Sequence, residues 1–95
     1  MQRVGISFHS PLSPAEVRQA VIAPLRDAVD AARAGIYSNY LHQDDPAPST
    51  DTEHLILFQV HDFKEGLRTL RVAAQNLPLA VEWRFHNLNP SDPLY

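Results

Sequence analysis

Histidine supplies most of the chemical potential of this chain, with five in 95 residues and no cysteine beside them. His9, His61 and Glu82 each sit in or at the end of a run that alternates apolar and polar residues. Brought together, two neutral imidazoles and a carboxylate would suit zinc, iron or manganese. The same trio would serve in acid–base chemistry, because histidine titrates near neutrality. No motif fixes their geometry, and five histidines in a short chain readily place two near one another. Solvated or hydrogen-bonded strand-end imidazoles are therefore the plainer expectation, and no metal or cofactor is assigned.

Other reactive patterns are thinner. His42 and His54 flank an acidic stretch, residues 43–53, containing Asp44, Asp45, Asp51 and Glu53. Its spacing lacks the alternate acids and central glycine of a calcium loop, so a solvated loop is expected. Tyr37 and Tyr40 could stack on a ring but more naturally cover core or a subunit contact. Lys64, Arg68 and Arg71, opposed by Glu65, describe a wet helix face. The chain has no glycine-rich phosphate loop, no G-x-S-x-G elbow and no aromatic-basic signature of an RNA-binding sheet.

The elements that must position these residues are organised around His54 to His86. Ile56, Phe58 and Val60 share one parity, and Leu55, Leu57, Gln59 and His61 share the other, which describes a strand with its first set toward the core. At Asp62 the period changes. Phe63, Leu67, Leu70, Ala74 and Leu77 fall on one helical stripe, Asp62 with Glu65 forms a capping box, and Pro78 ends the helix. Val81, Trp83 and Phe85 then alternate with Glu82, Arg84 and His86 as a half-buried strand.

Upstream, Val4, Ile6 and Phe8 alternate with Gly5, Ser7 and His9 as a first strand. Ser13-Pro14-Ala15-Glu16 opens a helix with a cap, a proline at its first position and the acid that completes the box. Its apolar stripe is Val17, Val21, Leu25, Ala28 and Ala32; Pro24 is expected to kink it and Gly35 to stop it. Residues 36–42 read as a strand weakened by Ser38 and Asn39, and residues 86–95 as an irregular tail.

Strand–helix–strand followed by strand–helix–strand is the order of the α+β ferredoxin-like, split βαβ arrangement, here within one domain spanning 1–95. In it the fourth strand lies beside the first and the second beside the third. Taking the first and third strands as parallel, His9, His61 and Glu82 gather at one end of the sheet and His86 at the other. Right-handed crossovers place both helices on one face. The other face, with Ser7, Leu55, Leu57, Gln59 and Arg84, is then the surface for a partner.

Composition narrows the classes. A chain that is 44% hydrophobic and 20% charged is ordinary for a soluble domain, and a formal charge of −3 argues against nucleic acid as partner. The first ten residues lack a signal-peptide pattern, and no apolar run approaches the ~20 residues of a membrane span, so the cytoplasm is the expected location. The leading expectation is a non-catalytic interaction module that binds itself, as a homodimer, or another protein. Alternatives are a small metal- or His-dependent enzyme or ligand-binding protein, resembling dimeric α+β-barrel proteins in size and topology, and a toxin immunity protein.

Overall fold

The computed structural model describes residues 1–88, so the part of the expected tail from 89 to 95 lies outside the described residues. In chain order the elements are β1 (Gln2–Ser10), α1 (Pro14–Val17), a π-helical turn (Arg18–Ile22), α2 (Ala23–Ala31), β2 (Gly35–Asp44), β3 (Thr52–Val60), α3 (Phe63–Gln75) and β4 (Arg84–Asn87). The sheet order is β2-β3-β1-β4, and every neighbouring pair is antiparallel. This is the ferredoxin-like α+β arrangement expected from the element order.

One expectation about direction is corrected. β1 and β3 run antiparallel, with Gln2 opposite Val60 and Ser10 opposite Thr52. The reason is the connectivity. The first helix returns the chain parallel to β1, and the β2–β3 hairpin then reverses it, so β3 must oppose β1. His9 and His61 therefore lie at opposite ends of the sheet.

The first helix opens as its sequence dictates. Ser13 Oγ accepts from the Glu16 N–H at 3.2 Å, and the Ser13 N–H donates back to Glu16 Oε1 at 3.0 Å. Pro24 is absorbed by the π-helical turn before it, where the Ala23 N–H reaches the Arg18 carbonyl five residues back. The extra residue rotates the apolar stripe. Val17, Val21, Ile22, Leu25 and Val29 are buried, while Ala32 of the expected stripe is exposed. Gly35 does not stop the helix; Arg33 takes the left-handed conformation there, with φ 51°. Gly35 instead lets β2 begin tight against β3, where a Cβ would stand 2.0 Å from the Gln59 carbonyl oxygen.

β2 is a full strand. Its β-bulge between Tyr37 and Asn39 takes up Ser38 and turns Tyr37 and Tyr40 to the same, helix-covered face. The hairpin is also longer than the sequence suggests, pairing Gln43 with Glu53 and Asp44 with Thr52, so only residues 45–51 remain as loop. In α3 the stripe Phe63, Leu67, Leu70 and Ala74 packs on the core as expected, and Leu77 joins it from beyond the helix, which ends at Gln75 and not at Pro78. Its capping box is half made: Asp62 caps the Glu65 N–H, but the Glu65 side chain pairs forward with Arg68. β4 starts later than the alternation implies. Val81 and Trp83 pack on the core outside the strand, Trp83 with its ring 4.8 Å from Phe8.

The core lies between the helices and one sheet face: Val4, Ile6, Phe8, Ile56, Phe58 and Val60 are completely buried there. α3 meets the sheet through Gly66, where a Cβ would stand 2.5 Å from the Val60 side chain. Ala is favoured over Gly in a helix by about 1 kcal/mol. The Gly66→Ala change should nevertheless destabilise the protein by roughly 1–3 kcal/mol through overpacking. Denaturant unfolding measures it, and a stabilised variant would contradict this packing.

Candidate functional site

The sheet face away from the helices carries the alternate residues of each strand. β1 contributes Gly5, Ser7 and His9, β3 contributes Glu53, Leu55, Leu57 and Gln59, and β4 contributes Arg84 and His86. Register aligns Ser7 between Leu55 and Arg84, Gly5 between Leu57 and His86, and Arg3 opposite Gln59. The surface residues expected from parity thus share one face. β2 adds Ile36 and Leu41, exposed at 53% and 50%. Leu88 folds back over Gly5, where a Cβ would meet its Cδ1 at 2.7 Å.

The centre of this face is polar. Ser7 is buried beneath its neighbours and its Oγ lies 2.7 Å from His86 Nε2. His86 is therefore mid-sheet, not at the far end, because β4 pairs it with Gly5. Around Ser7 the residues Glu53, Leu55, Arg84, His86 and Leu88 enclose a shallow hollow of about 260 Å³. Arg84 reaches Glu82 only loosely, at 3.9 Å.

His9 caps one end of the face. Its Nδ1 is 2.9 Å from Asp45 Oδ2, and its Nε2 is 3.5 Å from Glu53 Oε2. The Asp45 hydrogen bond, aided by the charges of Asp45 and Glu53, raises the His9 pKa above its ordinary value. The acidic loop is thereby tied back across β3 to β1. Neutralising the partner with Asp45→Asn should bring the His9 titration, followed by NMR, down toward that of an ordinary imidazole.

The expected trio does not assemble. His61 stands at the opposite end, where its N–H donates to the Ala34 carbonyl and it lines a hollow with Arg33, Glu65 and Arg68. Glu82 keeps to the His9 end, as the antiparallel β4 requires, but its recorded ion pair is with Arg84. Among the described residues, no group of three or more histidine and acidic side chains is arranged to hold a metal ion.

Sequence reasoning took His54 only as a flank of the acidic loop, not as a core residue. It shares the parity of Ile56, Phe58 and Val60, and that signal alone marks it as inward-facing. It is completely buried, stacked on Phe8 at 4.9 Å, with Nδ1 2.7 Å from the Tyr40 hydroxyl. Its Nε2 is buried without a hydrogen-bond partner among the described residues. Burial pushes the His54 pKa down, against an upward pull from the Ser10 backbone. Burial likewise pushes the Tyr40 phenol up, opposed by Arg18, whose guanidinium sits 5.5 Å from the ring centroid.

A histidine with a depressed folded pKa binds its proton more readily when unfolded, so its contribution to stability falls as pH drops through the unfolded value of about 6.5. His9, with a raised folded pKa, acts in the opposite sense, but it is exposed and screened. The net expectation is a loss of stability between about pH 7 and 5. The His54→Leu/Tyr40→Phe double variant, which removes both hydrogen-bonding partners, should flatten that slope in thermal unfolding followed against pH. An unchanged slope would assign the acid sensitivity elsewhere.

With the geometry set out, comparison with known proteins defines the fold and little more. No protein-family model matches the chain, and no curated protein matches it. The C-terminal domain of the MgtC protein from Mycobacterium tuberculosis superposes with a TM-score of 0.54 at 12% identity, covering 97% of this chain and 95% of that one. Formyltetrahydrofolate deformylase from Burkholderia mallei superposes with a TM-score of 0.51 at 15% identity. That match covers 92% of this chain, which spans 28% of the deformylase. Among the described residues, no helix is long and apolar enough to cross a membrane. At such identities the chain shares a ferredoxin-like fold with these structures, and the similarity extends no further.

Proposed function

We propose that the chain is a small cytoplasmic binding module whose uncovered sheet face pairs with a second copy of itself. One observation carries this reading. Ile36, Leu41, Leu55, Leu57 and Leu88 form an apolar field on the one sheet face that no helix covers. A contiguous apolar patch on a small protein marks an interface more often than chance exposure does. Ser7, Gln59 and Arg84 supply polar contacts within and around it.

The dimensions suit a second copy. Strands of nine, ten, nine and four residues, at about 3.3 Å rise and ~4.8 Å spacing, make a face of roughly 500 Å² before corrugation. Standard interfaces bury about 800 Å² per partner, so sheet-to-sheet pairing falls below that class, among the small, transient contacts. A face of this size predicts weak association that depends on concentration. His9, Arg84, Asp45, Glu53 and Glu82 place charges of both signs near one end, so two copies related by a two-fold axis can avoid like-charge opposition.

Sedimentation velocity across a concentration series tests the proposal. The protein should move from monomer to dimer as concentration rises. Ile36→Glu combined with Leu41→Glu should weaken the association by tenfold or more, about 1.4 kcal/mol, without unfolding a chain in which both side chains are half exposed. A strict monomer at every concentration would overturn it.

A further inference from the structure

We infer that the hollow above Ser7 is a binding site for a small carboxylate with an apolar body. The hollow is complete in one chain but lies on the face proposed to pair, so a ligand there and a second copy would compete for it.

The floor is the Ser7–His86 pair, in which an oxygen and a nitrogen 2.7 Å apart share one hydrogen bond. When the Nε2–H of His86 donates to Ser7 Oγ, the serine hydroxyl keeps its own proton for an acceptor lying above it. The backbone groups beneath are engaged, because Ser7 is paired on both sides, with Leu55 and with Arg84. The side chains are therefore the groups a ligand would meet.

The wall on the β4 side is Arg84. Its side chain is 64% exposed and its guanidinium contacts Glu82 at only 3.9 Å, leaving donors of its planar fork for another oxyanion. The one acid in the lining is Glu53, which faces His9 at 3.5 Å. With His9 drawn toward its charged form by Asp45 and Glu53, this carboxylate is partly compensated from outside the hollow. Arg84 thus remains the cation directed at the space above Ser7.

The remaining walls are apolar. Leu55 stands on β3, and Leu88 folds over Gly5 from the end of β4. A hydroxyl donor and a guanidinium at one side, with two leucines at the other, match a molecule with a carboxylate head and a short hydrocarbon tail. The volume of about 260 Å³ admits a ligand on the order of ten non-hydrogen atoms. A phosphate or sulfate would satisfy Arg84 but leave Leu55 and Leu88 unused. A neutral alkane would bury the leucines but leave the serine and arginine donors unmatched.

Hexanoate is a suitable probe, with hexanamide as its uncharged isostere and hexylammonium as the charge-reversed control. Two-dimensional amide NMR titrations near pH 7 would read site and affinity together. Hexanoate should produce saturable shifts centred on Ser7, Leu55, Arg84 and His86, with at least fivefold tighter binding than hexanamide and none from hexylammonium. Arg84→Gln, a change at an exposed side chain, should weaken hexanoate at least fivefold while leaving hexanamide unchanged. Leu55→Ala should weaken both acid and amide. Equal affinity for acid and amide, an unchanged Arg84→Gln variant, shifts centred elsewhere, or no saturable shift would each overturn the inference. Repeating the titration on the Ile36→Glu single variant, whose new charge lies beside Gln59 and away from Leu55, separates the inference from self-association: hexanoate should bind there at least as tightly as to the unsubstituted chain, and no saturable shift there would overturn the inference.

Discussion

The antiparallel seam between β1 and β3 is the interaction on which everything else rests. Val4, Ile6 and Phe8 face the helices beside Phe58, Ile56 and His54, and all six are completely buried. Fully burying a large aliphatic or aromatic side chain is worth about 1.5–3 kcal/mol. No other pairing in the sheet concentrates as many such residues. Because strand side chains alternate, the same seam projects Gly5, Ser7, Leu55 and Leu57 onto the opposite side. The core and the candidate site are two faces of one ladder. A register slip of one residue would exchange them, exposing the core set and burying Ser7, His9, Glu53 and Gln59, which is a strong constraint against slippage.

Close backbone approach completes the scaffold. Gly66 brings α3 directly onto Val60, and Gly35 brings β2 onto Gln59, so a helix and an edge strand are both fixed against β3 at the same end of the sheet. Gly5 acts differently: it leaves room for Leu88 on the open face. Two glycines thus serve the fold and the third shapes the surface. The polar residues divide in a similar way. The His54–Tyr40 pair is buried on the helix side, away from the open face. Ser7–His86 is its counterpart on the accessible side, within reach of a ligand.

Much of this was legible in residue order alone. Parity placed Ser7, Leu55, Leu57, Gln59 and Arg84 on one face, because a half-buried strand writes its orientation into every second letter. The Ser13–Glu16 box and the α3 stripe were equally plain, since capping and helical packing depend on residues only a few positions apart. What escaped notice depends on longer-range geometry or on a single inserted residue. The π-helical turn before Pro24 left Ala28 half-buried and Ala32 exposed and brought Ile22 and Val29 into the core, and the bulge at Ser38 aligned two tyrosines three positions apart. Neither insertion changes composition, so periodicity extrapolated across it goes out of phase. The direction of β3 relative to β1 was recoverable from the hairpin that precedes it, and misjudging it joined His9 to His61 across the length of the sheet.

That error bears on how the histidines are to be understood. Each of the five meets a different environment, and the environment, not the residue type, sets its role. His9 is exposed between two carboxylates and is drawn toward its charged form, whereas His54 is buried among rings and held toward its neutral form. His61 faces the far hollow, His42 lies exposed with its ring 5.4 Å from that of Tyr40, and His86 shares a hydrogen bond with Ser7. A metal or acid–base centre needs several such groups to converge on one point. Here the ladder spreads them over both faces and both ends: His86 stands beside Ser7 and Arg84 at one hollow, and His61 beside Arg33 and Arg68 at another. Around the first of these, Arg84 and Ser7 supply donors, Leu55 and Leu88 supply apolar walls, and the backbone groups of the strands beneath are committed to the sheet.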